Sequence, residues 1–421
     1  MKGYSEALDY LYGLEKFGMV FGLENVAWIL GLIGNPQTYL KTIHIAGTNG
    51  KGSVASMLSH ILKEAGYRVG KYTSPHLLSF TERITINEKE IAEDNVAALT
   101  EMIRNQVEEK DKSRFFTFFD FTTALAFEYF RREQVDISII EAGLGGRLDS
   151  TNVLDPLISI ITNVAYDHTD YLGHNIGAIA REKAGIIKRG RPVITGAEGT
   201  ARQQIEQTAQ HLQSPLYQLN KDFSYEKSAA RLMSYRGIER RIDDLSLSLM
   251  GDHQLKNSAL ALCAVELLPT LGYPVEEDSI RKGLARTKWP GRLEIVHDDP
   301  TIILDGAHNP DGARTLAEFL RSYYGGRKKV LIFGVMKDKD YKEIIDIITP
   351  HVGTTILTKP ETERALPPRE LEGRVRNAIV TESMRSALTL AKSMAGKDDL
   401  IVITGSLYTV GEAKGILDEV F

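Results

Sequence analysis

The sequence of 421 residues predicts an α/β protein: a mostly parallel sheet domain that carries a P-loop-like turn, followed by a smaller Rossmann-like α/β domain. Three observations predict it. Short β-rich runs alternate with helical patterns along the chain, and the runs are apolar on both faces, as strands covered by helices on each side must be. Polar, glycine-bearing turns follow several of these runs directly, at the strand carboxyl ends where such folds gather their ligands. The length exceeds one ordinary domain and suffices for two buried cores.

The first strand spans residues 41–45. After the turn that follows it, Val54, Met57, Leu58, Ile61 and Leu62 recur at helical spacing on one face. Further strand-like runs lie at 136–140, 157–161, 192–194, 301–304, 330–333, 354–357 and 400–403. Residues 222–249 are more polar and end in an alternating Leu-Ser pattern, which predicts antiparallel strands appended to the first domain. Pro290 and Gly291 close a helical pattern before a fresh alternation begins, so the domains are expected to span 1–291 and 292–421.

Composition narrows the function classes. A net charge of -5 with interspersed signs leaves no basic stripe for nucleic acid. Cys263 is the only cysteine, set in an apolar helical stretch, so an intrachain disulfide and a thiolate zinc site are both excluded. The first ten residues carry Glu6 and Asp9 where a signal peptide has an apolar core, and no apolar run reaches membrane-spanning length. A soluble, cytoplasmic protein with no membrane partner is the expectation.

The turn Gly47-Thr48-Asn49-Gly50-Lys51-Gly52-Ser53 lies between strand and helix and has the chemistry of a phosphate cradle. Its glycines let backbone N–H groups point at anionic oxygens, the helix adds its positive end, Lys51 reaches the β- and γ-phosphates, and Ser53 offers a hydroxyl to Mg²⁺. The common P-loop pattern has a glycine where Ile45 stands and a hydroxyl where Gly52 stands, so a generic P-loop ATPase fits poorly. Glu141 ends a buried strand ahead of a glycine turn that runs to Asp149, an arrangement suited to a metal ligand close to phosphate. His168 follows another strand, flanked by Asp167 and Asp170, and is a candidate ligand. Asp305 and His308 share a tight turn that could receive an amine or a phosphate, and the planar fork of Arg292 suits phosphoryl oxygens.

Together these motifs resemble the folylpolyglutamate synthase and dihydrofolate synthase family, related to the muramyl-peptide ligases. The resemblance rests on residues 47–53, 73–77, 81–84, 141–152, 167–170, 182–185, 253–257, 289–292 and 305–310, and it covers nearly the whole chain. It implies an ATP-dependent ligase that phosphorylates a folate or dihydropteroate carboxylate, after which the amine of L-glutamate attacks the acyl phosphate. By the same resemblance Gly47, Thr48, Asn49, Gly50, Lys51, Gly52, Ser53, Asn257 and Arg292 would hold ATP. Ser53, Ser74, Glu141, His168 and a carbamylated Lys183 would hold two Mg²⁺ ions. Arg83, Thr117, Phe119 and Asp149 would meet the pterin, while Asp305, His308 and Ser406 would meet glutamate. Lys51, Lys183, Asp305 and His308 are the catalytic candidates, and a monomer is expected. A muramyl-peptide-type ligase is the alternative, set back by the short segment ahead of the phosphate turn. A non-catalytic nucleotide switch is less economical, having no use for an amine-accepting set.

Overall fold

The computed structural model describes residues 3–15, 18, 20–111 and 113–421. The chain divides into two compact units. The first comprises Met1–Val164, His174–Leu247 and Leu255–Thr287, and the second comprises Ala165–Gly173, Ser248–Gln254 and Lys288–Phe421. Chain position alone would have assigned 165–173 and 248–254 to the first unit; their contacts lie with the second.

The first unit is built on an eight-stranded sheet of β1 (Thr42–Ala46), β2 (Val69–Tyr72), β3 (Ile84–Ile86), β4 (Lys89–Glu90), β5 (Ile137–Glu141), β6 (Ile158–Ile161), β7 (Val193–Thr195) and β8 (Leu216–Gln218), in the order β4-β3-β2-β5-β1-β6-β7-β8. All pairings are parallel except those of β3 and β4 at one edge. The central strands β1, β5 and β6 are buried on both faces, which explains why apolar residues stand on both faces of these strands. Strand order reverses at β1, so the turns after β1, β5 and β6 flank one switch point, the usual ligand crevice of this architecture.

The helix Lys51–Glu64 departs from the amphipathic pattern, since residues 52–62 are buried all round. The reason is a second covering helix, Glu277–Arg286, whose Gly283 lies so close that a Cβ there would come within 2.5 Å of the Ile61 Cα. A separate core of Tyr72, Phe80, Phe121, Phe127 and Phe130 fills the side of the sheet toward β2 and β3.

Residues 224–246 form the antiparallel sheet foreseen for this stretch, with β9 (Ser224–Ala229), β10 (Leu232–Arg236) and β11 (Arg241–Ser246) in the order β11-β10-β9. Glu266, on the helix His253–Leu267, ties its hairpin turn down by accepting hydrogen bonds from the Tyr235 hydroxyl (2.9 Å) and the backbone N–H groups of Ile238 (3.0 Å), Glu239 (2.6 Å) and Arg240 (2.8 Å). Glu266→Ala should cost this turn about 2 kcal/mol, the scale of lost hydrogen bonds to a charged acceptor. Amide exchange at 238–240 should then quicken roughly thirtyfold; unchanged exchange would show the turn to be held by other means. Cys263, on the same helix, is a buried free thiol whose pKa burial pushes up, an inert core residue.

The second unit has a six-stranded sheet of β12 (Glu294–Asp298), β13 (Thr301–Leu304), β14 (Lys329–Phe333), β15 (Thr354–Leu357), β16 (Ile379–Val380) and β17 (Leu400–Thr404), in the order β12-β13-β17-β14-β15-β16. Only β12 is antiparallel. Its core gathers Ile303, Leu331, Phe333, Ile344, Ile348 and Val402. Among the described residues no helix is long and apolar enough to cross a membrane.

Candidate active site

In the first unit the turn after β1 is held by the turn after β6. Thr48 N–H donates to the Asn163 carbonyl (3.1 Å), Asn49 N–H to Asn163 Oδ1 (2.8 Å), and Thr162 Oγ1 to the Asn49 carbonyl (2.6 Å). Gly50 caps the helix at φ 84°, a left-handed conformation that favours glycine, and a Cβ there would lie 2.5 Å from Asn257 Oδ1. Asn257 is thus packed onto the phosphate turn. At Gly47 a Cβ would stand 1.9 Å from Thr162 Oγ1, so a side chain at that position would break the brace.

Two lysines converge on this turn. Lys51 Nζ donates to the carbonyls of Gly47 (3.2 Å) and Thr48 (3.3 Å) and lies 3.8 Å from Glu141 Oε1, while buried Lys183 Nζ donates to the Gly47 carbonyl (2.9 Å). Glu141 ends β5, is buried, and accepts from the Ser74 N–H at 3.2 Å through its other oxygen. Lys51, Ser74, Glu141 and Lys183 are therefore tied together through Gly47 and Glu141, with Ser53 buried in the first turn of the same helix.

The groups expected near a pterin lie in the same unit. Thr117 caps the helix Phe118–Arg132 in a reciprocal box with Asp120, Phe119 stacks on Tyr72 at 6.0 Å, and the Arg83 guanidinium sits 5.1 Å from the centre of the Phe118 ring while its Nε donates to His76 Nδ1 (2.8 Å). Asp149 is buried and builds its own loop, accepting from Leu144 N–H (2.8 Å), Thr151 N–H (3.0 Å) and Thr151 Oγ1 (2.5 Å). Burial raises its carboxyl above the ordinary range, with these donors opposing.

The remaining candidates belong to the second unit. Asp305, after β13, accepts from Leu293 N–H (3.0 Å) and Ala307 N–H (3.1 Å); burial raises its pKa, and the Arg292 charge opposes that rise. A Cβ at Gly306 would lie 2.2 Å from Arg292 Nη1, so the guanidinium rests on the bare glycine. His308 Nδ1 bonds to the Gly306 carbonyl at 2.8 Å, leaving Nε2 toward Asp167 Oδ2 at 3.5 Å. Ser406, after β17, caps the helix Leu407–Val420 through Thr409.

Asp167 is the hub of this second set. Lys339 Nζ donates to its Oδ1 (2.8 Å) and lies 3.3 Å from His168 Nε2, and Asn309 Nδ2 donates to its Oδ2 (3.1 Å). Burial alone would raise the carboxyl; the His308 contact and the charges of His308, Lys339 and His168 hold it well below the carboxylate range instead. His168 is part of the same cluster, its Nε2 3.9 Å from Asp167 Oδ1 and its backbone at φ 49°. The sequence reading missed Lys339. A signal existed: residues 334–339 follow β14 directly, at a strand carboxyl end like those after β13 and β17, and they include three charged side chains.

The oxygen-rich set of the first unit fits magnesium. Among the described residues no cluster of three or more His, Cys, Asp or Glu side chains could cage a metal. Mg²⁺ needs no such cage, because it binds through one or two carboxylates plus water and phosphate oxygens, which is what Ser53, Ser74 and Glu141 beside a phosphate turn provide. Carbamylation of Lys183 would leave one N–H to serve the Gly47 carbonyl, so the observed contact is compatible with either form.

Comparison with known proteins defines the chain as an ATP-dependent ligase of Mur type. Residues 45–265 match the Mur ligase middle domain and 291–407 the Mur ligase glutamate ligase domain. The chain is 36% identical over 428 residues to a folylpolyglutamate synthase of Lacticaseibacillus casei, and 35% identical over 422 residues to a dihydrofolate synthase/folylpolyglutamate synthase of Bacillus subtilis, covering 98% of both chains in each case. Among solved structures it is similar to Escherichia coli FolC in complex with DHPP and ADP, with a TM-score of 0.92 at 30% identity over 99% of this chain and 98% of that one. It is also similar to Mycobacterium tuberculosis folylpolyglutamate synthase complexed with ADP and AMPPCP, with a TM-score of 0.91 at 31% identity over 98% of each. The chain belongs to the folylpolyglutamate synthase/dihydrofolate synthase family.

Proposed function

We propose that this ligase, which joins glutamate to a folate carboxylate at the expense of ATP, also adds the first glutamate to dihydropteroate. The observation that carries the phosphoryl-transfer half is the convergence of Lys51 and Lys183 on the Gly47 carbonyl, with Glu141 Oε1 3.8 Å from the Lys51 nitrogen. Lys51 neutralises the β- and γ-phosphates, the turn's N–H groups and Asn257 fix the nucleotide, and Arg292 contributes a planar fork to phosphoryl oxygens. Ser53, Ser74, Glu141, His168 and carbamylated Lys183 would hold two magnesium ions, which when bound screen the phosphate charge during transfer.

Glutamate belongs with the second unit in this reading. A lysine and two imidazoles face the single carboxylate of Asp167, so the cluster is not negative at neutral pH and suits an amino acid bearing two carboxylates. Asp305, His308 and Ser406 then orient the amine toward the acyl phosphate. Arg83, Thr117, Phe119 and Asp149 take the pterin, which supports acceptance of dihydropteroate as well as reduced folate. The working protein is a cytoplasmic monomer with these small-molecule partners alone.

Phosphate release tests this reading. With ATP and glutamate present, release should rise at least tenfold on adding dihydropteroate and again on adding tetrahydrofolate. A response to tetrahydrofolate alone would restrict the enzyme to tail extension, and silence with both would reject the folate assignment.

A further inference from the structure

His44 lies in β1, three residues ahead of the phosphate turn, fully buried and remote in sequence from every pterin candidate except through space. Its Nε2 is 2.8 Å from Thr151 Oγ1, and that hydroxyl is 2.5 Å from Asp149 Oδ1. The proton inventory fixes the direction of this relay. Thr151 has one hydroxyl hydrogen, and the Asp149 oxygen also accepts the Thr151 N–H, so the hydroxyl donates to Asp149 and accepts from His44 Nε2–H. Nδ1 is then a bare lone pair, in accord with its having no hydrogen-bond partner. Burial, reinforced by the Lys188 charge, holds the imidazole pKa down to about 3, so the ring stays neutral throughout the working range.

A second arm meets the same loop. Asp120 Oδ2 accepts from the N–H (3.1 Å) and hydroxyl (2.8 Å) of Thr117, while its Oδ1 accepts from Ser150 Oγ at 2.7 Å. Ser150 stands between Asp149 and Thr151. Two sets of buried hydrogen bonds, meeting along the backbone of residues 149–151, therefore join β1 to two of the residues assigned to the pterin, Asp149 and Thr117.

We propose that His44, acting through Thr151, is a positioning residue for the pterin side of the reaction, with Asp120 and Ser150 as the opposing brace. The inference rests on the assignment of Asp149 and Thr117 to the pterin. Two consequences follow from the chemistry. The relay needs a donor at the Nε2 position and no charge, so glutamine, whose side-chain nitrogen reaches the same distance, replaces histidine while leucine does not. The effect falls on one substrate, because neither Asp149 nor Thr117 is hydrogen-bonded to the phosphate turn.

Steady-state kinetics on the full chain, with dihydropteroate, ATP and glutamate varied in turn, give the test. His44→Leu should raise the KM for dihydropteroate about fivefold and Thr151→Val about tenfold, with the KM for ATP and for glutamate within twofold of wild type. His44→Gln should bring the first value back to within twofold. Equal movement of all three KM values, or failure of glutamine to rescue, would overturn the proposal, since a merely structural histidine behaves that way. If His44→Leu does not fold, Thr151→Val, nearly isosteric, decides alone. Asp149→Asn separates the layers: if it raises the dihydropteroate KM while His44→Leu and Thr151→Val do not, the brace fails and the pterin assignment stands. If Asp149→Asn is silent, the assignment falls and the brace with it.

Discussion

Lys51→Ala is expected to lower kcat/KM for ATP roughly 10³-fold while leaving the melting temperature within a few degrees of wild type. A unit charge 4 Å from a phosphate oxygen is worth about 4 kcal/mol at an effective dielectric near 20, and that energy corresponds to about three orders of magnitude in rate. The structure gives Lys51 two backbone carbonyls of its own turn and a carboxylate 3.8 Å away, so the ammonium is already poised over the place where phosphates must lie. Stability should change little, because its ion pair with Glu141 is long and the turn is held independently by Thr162 and Asn163. Equilibrium binding of ADP separates the two halves of the effect. A loss in ADP affinity much smaller than the loss in turnover means that the charge acts chiefly on the transferring phosphoryl group. Undiminished ligation by the variant would remove Lys51 from the mechanism.

Local pattern made the sheets legible, because strands buried on both faces leave short runs rich in isoleucine, leucine and valine and the strand ends of a parallel sheet announce themselves by glycine and polar residues. The same logic located Lys51, Glu141, Asp305 and His308. What local pattern could not supply was partnership across sequence distance. Asp167 and His168 looked like a self-contained ligand turn; their partners His308, Asn309 and Lys339 come from more than 130 residues away. Lys183 had nothing in its charged helix to mark it, and only the fold places its nitrogen on the Gly47 carbonyl. His44 was invisible for the opposite reason. A strand buried on both faces gives no solvent-facing position at which a polar residue would stand out, and only the loop arriving from residue 151 shows why residue 44 is histidine.

The charge cluster around Asp167 gives the second large effect, this time on stability. Lys339 and Asp167 are both largely buried, with side chains 9% and 10% exposed, and their contact is 2.8 Å. Removing one partner of such a pair strands the other, which costs about 3–5 kcal/mol, whereas removing both costs much less. Asp167→Ala and Lys339→Met should each be strongly destabilising in urea unfolding of the full chain, and the double variant should be less destabilised than the sum of the two by about 2 kcal/mol or more. The pH dependence has a definite sign. Because the folded carboxyl is held below its unfolded value of about 4, its contribution is fully present above that pH and is lost only as acid titrates the folded group. The coupling between the two sites should therefore persist at pH 5 and decline only below about 4. Simple additivity at neutral pH would mean that the two side chains are not energetically coupled.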